Sequence, residues 1–252
     1  MTRILTYNVH RCVGTDRRLD VGRIAAVIAA ERPDIVALQE VDVGRARTGN
    51  VDQAQAIAVR LGMAFRFHAA LKVEEELYGD AILTALPERL IRAGALPGHP
   101  RLEGLEPRGA LWVAIDVGGI ELQVLNTHFG LIPREQRLQA AAVTGPQWLG
   151  SPERRDPLIL LGDFNASRLG RPYRLLTNAL GDVTRGLGAG RRVATFPSML
   201  PMRQIDHVFA SSGVAVRAAH APTTPLARQA SDHLPLVVDF ALTGPSQPNP
   251  SH

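Results

Sequence analysis

The chain has 252 residues, 45% of them hydrophobic, and a formal net charge of +4 at pH 7. This composition is enough for a sizeable packed core. No window approaches the roughly 20 consecutive apolar residues of a membrane-spanning helix, and the first residues lack the apolar stretch of a secretion signal. These features exclude an integral membrane protein, and we expect a cytoplasmic monomer. The single cysteine, Cys12, excludes an internal disulfide.

Short apolar runs rich in β-branched residues alternate with helical patterns along the chain. Strands are predicted at residues 4–9, 35–38, 81–86, 111–117, 120–126, 158–161, 205–210, 214–218 and 236–240. Helices are predicted at residues 21–32, 52–61, from 133 through 139 and beyond, and at 173–180. Asp20 is a candidate cap for the first helix, and Gly118-Gly119 predicts a hairpin between two strands.

The organisation of the chain predicts one domain. We find no change of composition that would mark a linker, so the domain is expected to span residues 1–243. A Gly/Arg-rich loop is predicted at residues 186–192. Residues 244–252 are rich in Pro, Ser and Asn and are expected to form a disordered tail.

The two halves of the chain contain similar strand–helix–strand units. In the first, a strand ends at Asn8 and a second buried strand ends at Glu40; in the second, the corresponding strands end at His128 and Asp163. Polar groups at the ends of such strands indicate two related sheets that face one cleft. The similarity rests on few residues, and chance is the alternative.

A carboxylate at the end of a buried strand needs a partner, because the desolvation of an isolated buried charge costs on the order of several kcal/mol. Glu40 occupies such a position after Gln39. A hard cation such as Mg²⁺ prefers oxygen ligands, so Glu40 is a candidate metal ligand. A carboxylate that caps a helix is an equally common arrangement.

The tetrapeptide Gly162-Asp163-Phe164-Asn165 places a carboxylate beside a carboxamide at another strand end. Gly162 allows the backbone to pass close to a neighbour, and Asp163 and Asn165 share one side if the chain stays extended. Such a pair can orient a water and stabilise a developing oxyanion. The structural alternative is an Asx turn, which both residue types favour.

Histidines also occur at strand ends. His128 follows Asn126-Thr127, and two aspartates directly precede histidines in Asp206-His207 and Asp232-His233. A neighbouring carboxylate can orient an imidazole and favour its charged form beside a phosphate. One such histidine is more often structural, but the recurrence at strand ends indicates a functional site.

In chain order these segments resemble the endonuclease/exonuclease/phosphatase superfamily, which includes DNase I, exonuclease III-type nucleases and neutral sphingomyelinases. The resemblance extends over nearly the whole chain and is carried by Asn8, Gln39-Glu40, Arg108, Asn126-Thr127-His128, Gly162-Asp163-Phe164-Asn165, Ile205-Asp206-His207 and Ser231-Asp232-His233. It implies an α/β (α+β) fold, a four-layer α/β/β/α sandwich with two mixed β-sheets, and a divalent-metal-dependent phosphoester hydrolase.

The resemblance also implies roles for individual residues. Mg²⁺ or Mn²⁺ would be held by Asn8 and Glu40, with Asp232 in the same region. Phosphate contacts are implied for Arg108 and Asn126.

The implied catalytic residues act on water and phosphate. Asp163 would position or deprotonate the attacking water, and Asn165 would stabilise the transition state. His233, oriented by Asp206, would contact the scissile phosphate. His128 would contact the phosphate or assist the leaving oxygen. The general base is left open between Asp163 and His233.

Two departures from the family pattern narrow the substrate. The phosphatase branch has a Trp-Cys-Asp-Arg segment where this chain has Arg203-Gln204-Ile205-Asp206-His207, and this difference disfavours an inositol 5-phosphatase. Separately, Asp80 replaces a common Asn. A phosphodiesterase or nuclease acting on DNA or RNA is favoured, although aromatic residues for base stacking are only 5% of the chain. A sphingomyelinase-like phospholipid phosphodiesterase, which needs an apolar membrane-facing loop, and a non-catalytic binding module are the alternatives.

Overall fold

A computed structural model describes residues 1–185, 187 and 192–243 of the chain. Most of the loop predicted at 186–192, and all of the tail predicted at 244–252, lie outside the described residues.

The first half of the chain forms five strands and two helices, which are β1 (Thr2–Asn8), α1 (Val21–Glu31), β2 (Ile35–Val43), α2 (Gln53–Leu61), β3 (Ala64–Val73), β4 (Glu76–Thr84) and β5 (Glu88–Ala95). The second half continues with β6 (Gly109–Val117), β7 (Ile120–His128), α3 (Pro133–Thr144), β8 (Leu158–Asp163), α4 (Arg171–Ala179), β9 (Gly181–Asp182), β10 (Asp206–Ala210), β11 (Val214–His220), α5 (Pro225–Ala230) and β12 (Leu236–Leu242).

The strands form two six-stranded mixed sheets. One sheet has the order β11-β12-β1-β2-β4-β3, and the other has the order β5-β6-β7-β8-β10-β9. β1 pairs with β2 in parallel, and β7 pairs with β8 in parallel, whereas the other pairs are antiparallel. Each parallel pair is joined through one helix, α1 or α3, so the two predicted strand–helix–strand units are present.

The sheets pack face to face and carry helices on their outer faces. In β1, Ile4 packs between the sheets, and Leu5 packs with the core beneath α1 and α2. In the second sheet, Val124 faces the inter-sheet core and Leu125 faces the core under α3 and α4. Because both faces of these strands are buried, apolar residues occupy consecutive positions, as in Ile4-Leu5 and Val124-Leu125. The predicted four-layer α/β/β/α sandwich is confirmed.

Local sequence accounts for the helix boundaries. The side chain of Asp20 accepts a hydrogen bond from the backbone of Arg23 at 2.9 Å, which caps α1, and Asp52 caps α2 in the same way through Gln55 at 2.8 Å. Capping supplies an acceptor to amides that have no partner within the helix. No helix in the described part of the chain has the length and apolar character to cross a membrane.

Strand pairing brings the polar strand ends together. His128 on β7 and Asp206 on β10 are both register partners of Asp163 on β8, so the three residues lie side by side. On the other sheet, Asn8 of β1 is aligned with Gln39 of β2. The parallel pairs place both groups of polar side chains at one edge of the sandwich.

Candidate active site

A cavity of about 940 Å³ opens where the polar ends of the two sheets meet. Seven of the residues singled out from the sequence line it, namely Glu40, Arg108, His128, Asp163, Asn165, Asp232 and His233. The first sheet contributes Glu40 from β2, and the second contributes His128 and Asp163. The cavity therefore lies across the junction of the two sheets.

Asp163 is the centre of the polar cluster. Its Oδ2 accepts a hydrogen bond from Nδ2 of Asn8 at 3.0 Å, and it lies 3.5 Å from Nε2 of His128 and 3.6 Å from Nε2 of His233. Gly162, at φ 140°, lets β8 pass so close to β7 that an added Cβ would collide with the carbonyl oxygen of Thr127. The close approach expected of this glycine is therefore present.

Burial raises the pKa of the Asp163 carboxyl; the nearby His233 opposes this effect and Asp206 adds to it. The other oxygen, Oδ1, accepts the backbone N–H of Asn165 at 2.9 Å, which is an Asx turn. Asn165 has φ 50°, so the chain is not extended here, contrary to the sequence-based assumption. The turn nevertheless leaves both side chains at the cavity.

His233 is held by an aspartate from β10. Its Nδ1 lies 2.9 Å from Oδ2 of Asp206, and the same oxygen accepts the hydroxyl of Thr195 at 2.5 Å. Although burial lowers the pKa of His233, the charges of Asp206 and Asp163 raise it to about 10. This imidazole is therefore a cation at neutral pH, with Nε2–H directed toward Asp163.

His128, in contrast to His233, is held neutral. Burial lowers its pKa well below the ordinary range, and the charge of Arg108 lowers it further. Nη1 of Arg108 lies 3.1 Å from Nδ1 of His128. A guanidinium has only donors, so Nδ1 is the acceptor and the neutral ring carries its proton on Nε2. The site thus combines one cationic and one neutral imidazole.

Glu40 reaches the cavity through a β-bulge. The register between β2 and β4 shifts between Leu38 and Val41, and Glu40 has φ 58°. A bulge re-aims side chains at the end of a strand. Nδ2 of Asn8 lies 3.0 Å from both Oε1 of Glu40 and Oδ2 of Asp163, so one amide joins the two carboxylates.

Asn8 was expected to hold the cation directly, and this stays a prediction. Its Nδ2 donates to two carboxylates, and its Oδ1 accepts the backbone N–H of His10 at 3.0 Å. An amide oxygen has two lone pairs, so one remains for a further contact. The Nδ2 contacts also orient Glu40 and Asp163 relative to each other.

The expectation that Asn126 contacts phosphate is corrected by its position. This residue is fully buried between the sheets. Its Nδ2 donates to the carbonyl oxygens of Leu38 and Ala81 at 2.9 and 3.0 Å, and its Oδ1 accepts from Nε2 of Gln39 at 2.7 Å. The side chain links the second sheet to the first and has no donor left for a ligand.

The two Asp-His pairs of the sequence have different structures. His207 points away from Asp206, as neighbouring strand residues do, and its Nε2 lies 2.8 Å from the carbonyl oxygen of Ala166. Asp232 lines the cavity, and its Oδ1 lies 3.7 Å from Nδ1 of His10. Asp206 therefore forms its hydrogen bond with His233, which is distant in the sequence, and not with its neighbour His207.

Several cavity residues were missed by sequence reasoning. They are His10, Arg11, Tyr78, Glu106, Arg137, Arg171, Phe196 and Arg203. Positive φ angles of 45° and 55° at His10 and Arg11 turn the chain after β1, which sequence periodicity does not predict. The one available signal was the position of His10 directly beyond a strand end.

Asp80, one of the two departures from the pattern that the sequence resembles, is 2% exposed on β4. Burial raises its pKa well above the ordinary range, whereas the positive charge of Arg108 opposes that rise. The departure therefore adds an acidic group close to Glu40 and Arg108.

Carboxylates and imidazoles at the site could hold a metal ion. Ligand atoms of Asp163, Asp206 and His233 lie within 4.8 Å of one another. In the structure, however, Nδ1 of His233 is bonded to Asp206. Glu40 and Asp232 are partly exposed and line the same cavity, so their oxygens are accessible to a cation.

Comparisons with known proteins agree with this architecture. Residues 5–233 match the Endonuclease/Exonuclease/phosphatase family. The uncharacterized protein YbhP of Escherichia coli (strain K12) is 26% identical over 253 residues, covering 95% of this chain and 96% of that protein.

Solved structures share the fold. An endonuclease/exonuclease/phosphatase from Beutenbergia cavernae DSM 12333 superposes with a TM-score of 0.79 at 26% identity, covering 96% of this chain and 72% of that chain. A mannosyl-6-phosphatase from Bacteroides thetaiotaomicron VPI-5482 gives 0.75 at 20% identity, covering 96% of this chain and all (100%) of that one. The family match and the four-layer sandwich together confirm the resemblance, and the chain belongs to the endonuclease/exonuclease/phosphatase family.

Proposed function

We propose that this chain is a Mg²⁺- or Mn²⁺-dependent phosphodiesterase. Family members hydrolyse phosphoester bonds. The observation that carries the proposal is the position of Asp163 Oδ2, which lies 3.0 Å from an amide nitrogen of Asn8 and within 3.6 Å of Nε2 of His128 and of His233. A carboxylate surrounded by donors on one side of an open cavity can orient a water for attack on phosphorus.

Glu40 and Asp232 would hold the cation, because Mg²⁺ and Mn²⁺ prefer carboxylate oxygens and keep several water ligands. Asn8 keeps Glu40 close to Asp163, so the carboxylate that would orient the water lies near a residue that would hold the cation. When bound, the cation would supply Lewis-acid polarisation of the phosphoryl group.

The imidazoles would act on the phosphate. His233, kept cationic by Asp206, would donate through Nε2 to a phosphoryl oxygen. His128, neutral with its proton on Nε2, would donate a hydrogen bond to the phosphate or leaving oxygen. Asn165 would donate to the pentacoordinate transition state, and Arg108, at the wall of the cavity, would contact a phosphate oxygen.

Hydrolysis of bis-p-nitrophenyl phosphate tests the reaction class. Turnover should require Mg²⁺ or Mn²⁺ and stop with EDTA. Glu40→Gln and Asp163→Asn should each reduce kcat/KM by about a hundredfold or more. Glu121→Gln, an exposed acid on β7 outside the cavity, is the matched control and should retain activity. Hydrolysis that persists in EDTA and in both site variants would reject the proposal.

The preference for DNA or RNA, inferred from sequence, stays a prediction. Parallel incubation with plasmid DNA, an RNA oligomer and phospholipid vesicles tests it. A phospholipid phosphodiesterase is the second candidate function. It needs an exposed apolar loop beside the site, and the segment between Phe196 and Arg203 provides one.

A further inference from the structure

Five strongly exposed apolar side chains lie on segments that line the cavity. Their exposed fractions lie between 60% and 79%, and the residues are Leu131, Leu169, Met199, Leu200 and Met202. Leu131 lines the cavity, and Leu169 lies between the lining residues Ser167 and Gly170. The other three lie on the turn between the lining residues Phe196 and Arg203. We call these five residues the apolar rim.

The turn that carries most of the apolar rim has a fixed backbone. Phe196 and Arg203 form a β-bridge, with a backbone hydrogen bond of 2.8 Å from Arg203 N to Phe196 O. Nη1 of Arg228 donates to the carbonyl oxygens of Ser198 and Met199 at 3.3 and 2.5 Å. The Ser198 hydroxyl donates to the carbonyl of Ser231 at 2.6 Å. These contacts fix the base of the turn, so the exposure of its tip is built into the fold.

Positive charge lies among these apolar residues. Arg137, Arg171 and Arg203 line the same cavity, and none of the three guanidinium groups has an ion pair or side-chain hydrogen bond within the described residues. Arg108, in contrast, is paired with Glu106. Unpaired arginines beside exposed apolar side chains offer charge and apolar area to the same partner.

We propose that the apolar rim and these three arginines dock the protein onto an anionic phospholipid bilayer. A bilayer supplies an apolar phase for the leucines and methionines and phosphates for the arginines at one interface. Nucleic acid would supply the phosphates but would bury the aliphatic side chains against a polar backbone. The inference rests on the proposed function in one respect, which is that docking brings headgroup phosphodiesters to the cavity as substrates.

A tryptophan placed at the tip reports insertion directly. The native tryptophans, Trp112 and Trp148, are buried at 0% and 2% exposure and give a constant background. Leu200→Trp should show a blue-shifted emission with phosphatidylglycerol-containing vesicles and quenching by brominated lipid. Val59→Trp, at a 72% exposed position on α2 outside the cavity lining, should show neither change.

Sedimentation with vesicles tests the contribution of the apolar rim. In EDTA, so that no turnover is possible, the wild-type chain should bind phosphatidylglycerol-containing vesicles and bind pure phosphatidylcholine weakly. Leu200→Ser with Met202→Ser should weaken binding about tenfold or more. Val59→Ser with Leu90→Ser, the matched exposed pair outside the rim, should bind as the wild type does. Circular dichroism verifies that each variant is folded.

The outcomes separate docking from catalysis. Asp163→Asn should keep vesicle binding while it loses hydrolysis, so failure of the reaction leaves the docking result readable. The proposal would be overturned if the wild type did not bind the vesicles. It would also be overturned if Leu200→Ser with Met202→Ser bound them as well as Val59→Ser with Leu90→Ser does. Binding to a DNA or RNA oligomer that the tip substitutions weaken, without vesicle binding, would instead assign the surface to nucleic acid.

Discussion

Nη1 of Arg108 lies 3.1 Å from Nδ1 of His128, and this contact determines which imidazole nitrogen carries the proton. Asn165 Nδ2 lies 3.2 Å from the other ring nitrogen, Nε2. A neutral imidazole has one acceptor, so it cannot accept from both donors. The charged guanidinium is the stronger donor, and the Asn165 amide donates to the Phe129 carbonyl at 3.0 Å instead. Arg108 thereby makes His128 a donor toward the cavity.

Arg108→Met should move the proton of His128. Without the guanidinium, Asn165 is the remaining donor to the ring, so the proton should shift from Nε2 to Nδ1. Long-range ¹H–¹⁵N NMR correlation on histidine-labelled, metal-free protein distinguishes the two tautomers. Arg92→Met, which removes an arginine from an exposed ion pair with Glu153, is the control. A wild-type spectrum with the proton already on Nδ1 would contradict the assignment.

Asp206→Asn should lower the pKa of His233. Burial opposes the charge on this ring, and Asp206 is the first of the groups that raise its pKa to about 10. Removing that charge should move the pKa toward or below the ordinary value of about 6.5. A ¹H–¹³C NMR titration of the metal-free protein measures it. An unchanged titration midpoint would show that Asp206 does not set the charge of His233.

The same pair affects stability with a defined sign. The pKa of His233 is higher in the folded chain than in the unfolded chain, so its contribution is complete below about pH 6.5. The contribution is lost as the pH rises through the folded value of about 10. The wild type should therefore lose more unfolding free energy than Asp206→Asn between these pH values, as measured by urea denaturation.

The fold was predictable where strands are buried on both faces. β1, β7 and β8 carry apolar residues at consecutive positions because helices cover one side and the opposite sheet covers the other. β3 and β5 were not predicted from the sequence. Their sequences mix charged and apolar residues, since much of each strand is partly exposed.

The location of the site at the strand ends was predictable from the sequence, whereas the roles of individual residues were less predictable. Asp163, His128 and Asp206 are adjacent because strand register aligns them. Asn126 stands two residues before His128, but the period of a strand does not distinguish a cavity wall from the interface between sheets. Of the three arginines beside the apolar rim, Arg203 lies on a loop and Arg171 at the start of α4, where periodicity carries no information about direction, whereas Arg137 lies within α3.

Gly162→Ala should destabilise the protein strongly. Its φ of 140° is open to glycine, and an added Cβ would overlap the carbonyl oxygen of Thr127 on the neighbouring strand. Both strands are central in the second sheet and cannot separate without breaking their ladder. We expect a loss of about 3 kcal/mol or more in the free energy of unfolding. Gly119→Ala, at a turn position with no atom within 4 Å of an added Cβ, should cost much less.

Asn126→Ala should lower stability far more than it lowers the activity of the folded fraction. The substitution removes a donor from each of the buried carbonyls of Leu38 and Ala81 and one acceptor from the Gln39 amide, which keeps its hydrogen bond to Thr6 Oγ1 at 3.0 Å. Unsatisfied buried groups cost about 1–3 kcal/mol each, so we expect a total loss of several kcal/mol, on that scale. Urea unfolding and kcat/KM measured well below the unfolding midpoint separate the two effects. If Asn126 instead contacted phosphate, KM would rise while the unfolding free energy stayed near that of the wild type. That result would show that Asn126 contacts substrate and that its linkage between the two sheets is dispensable.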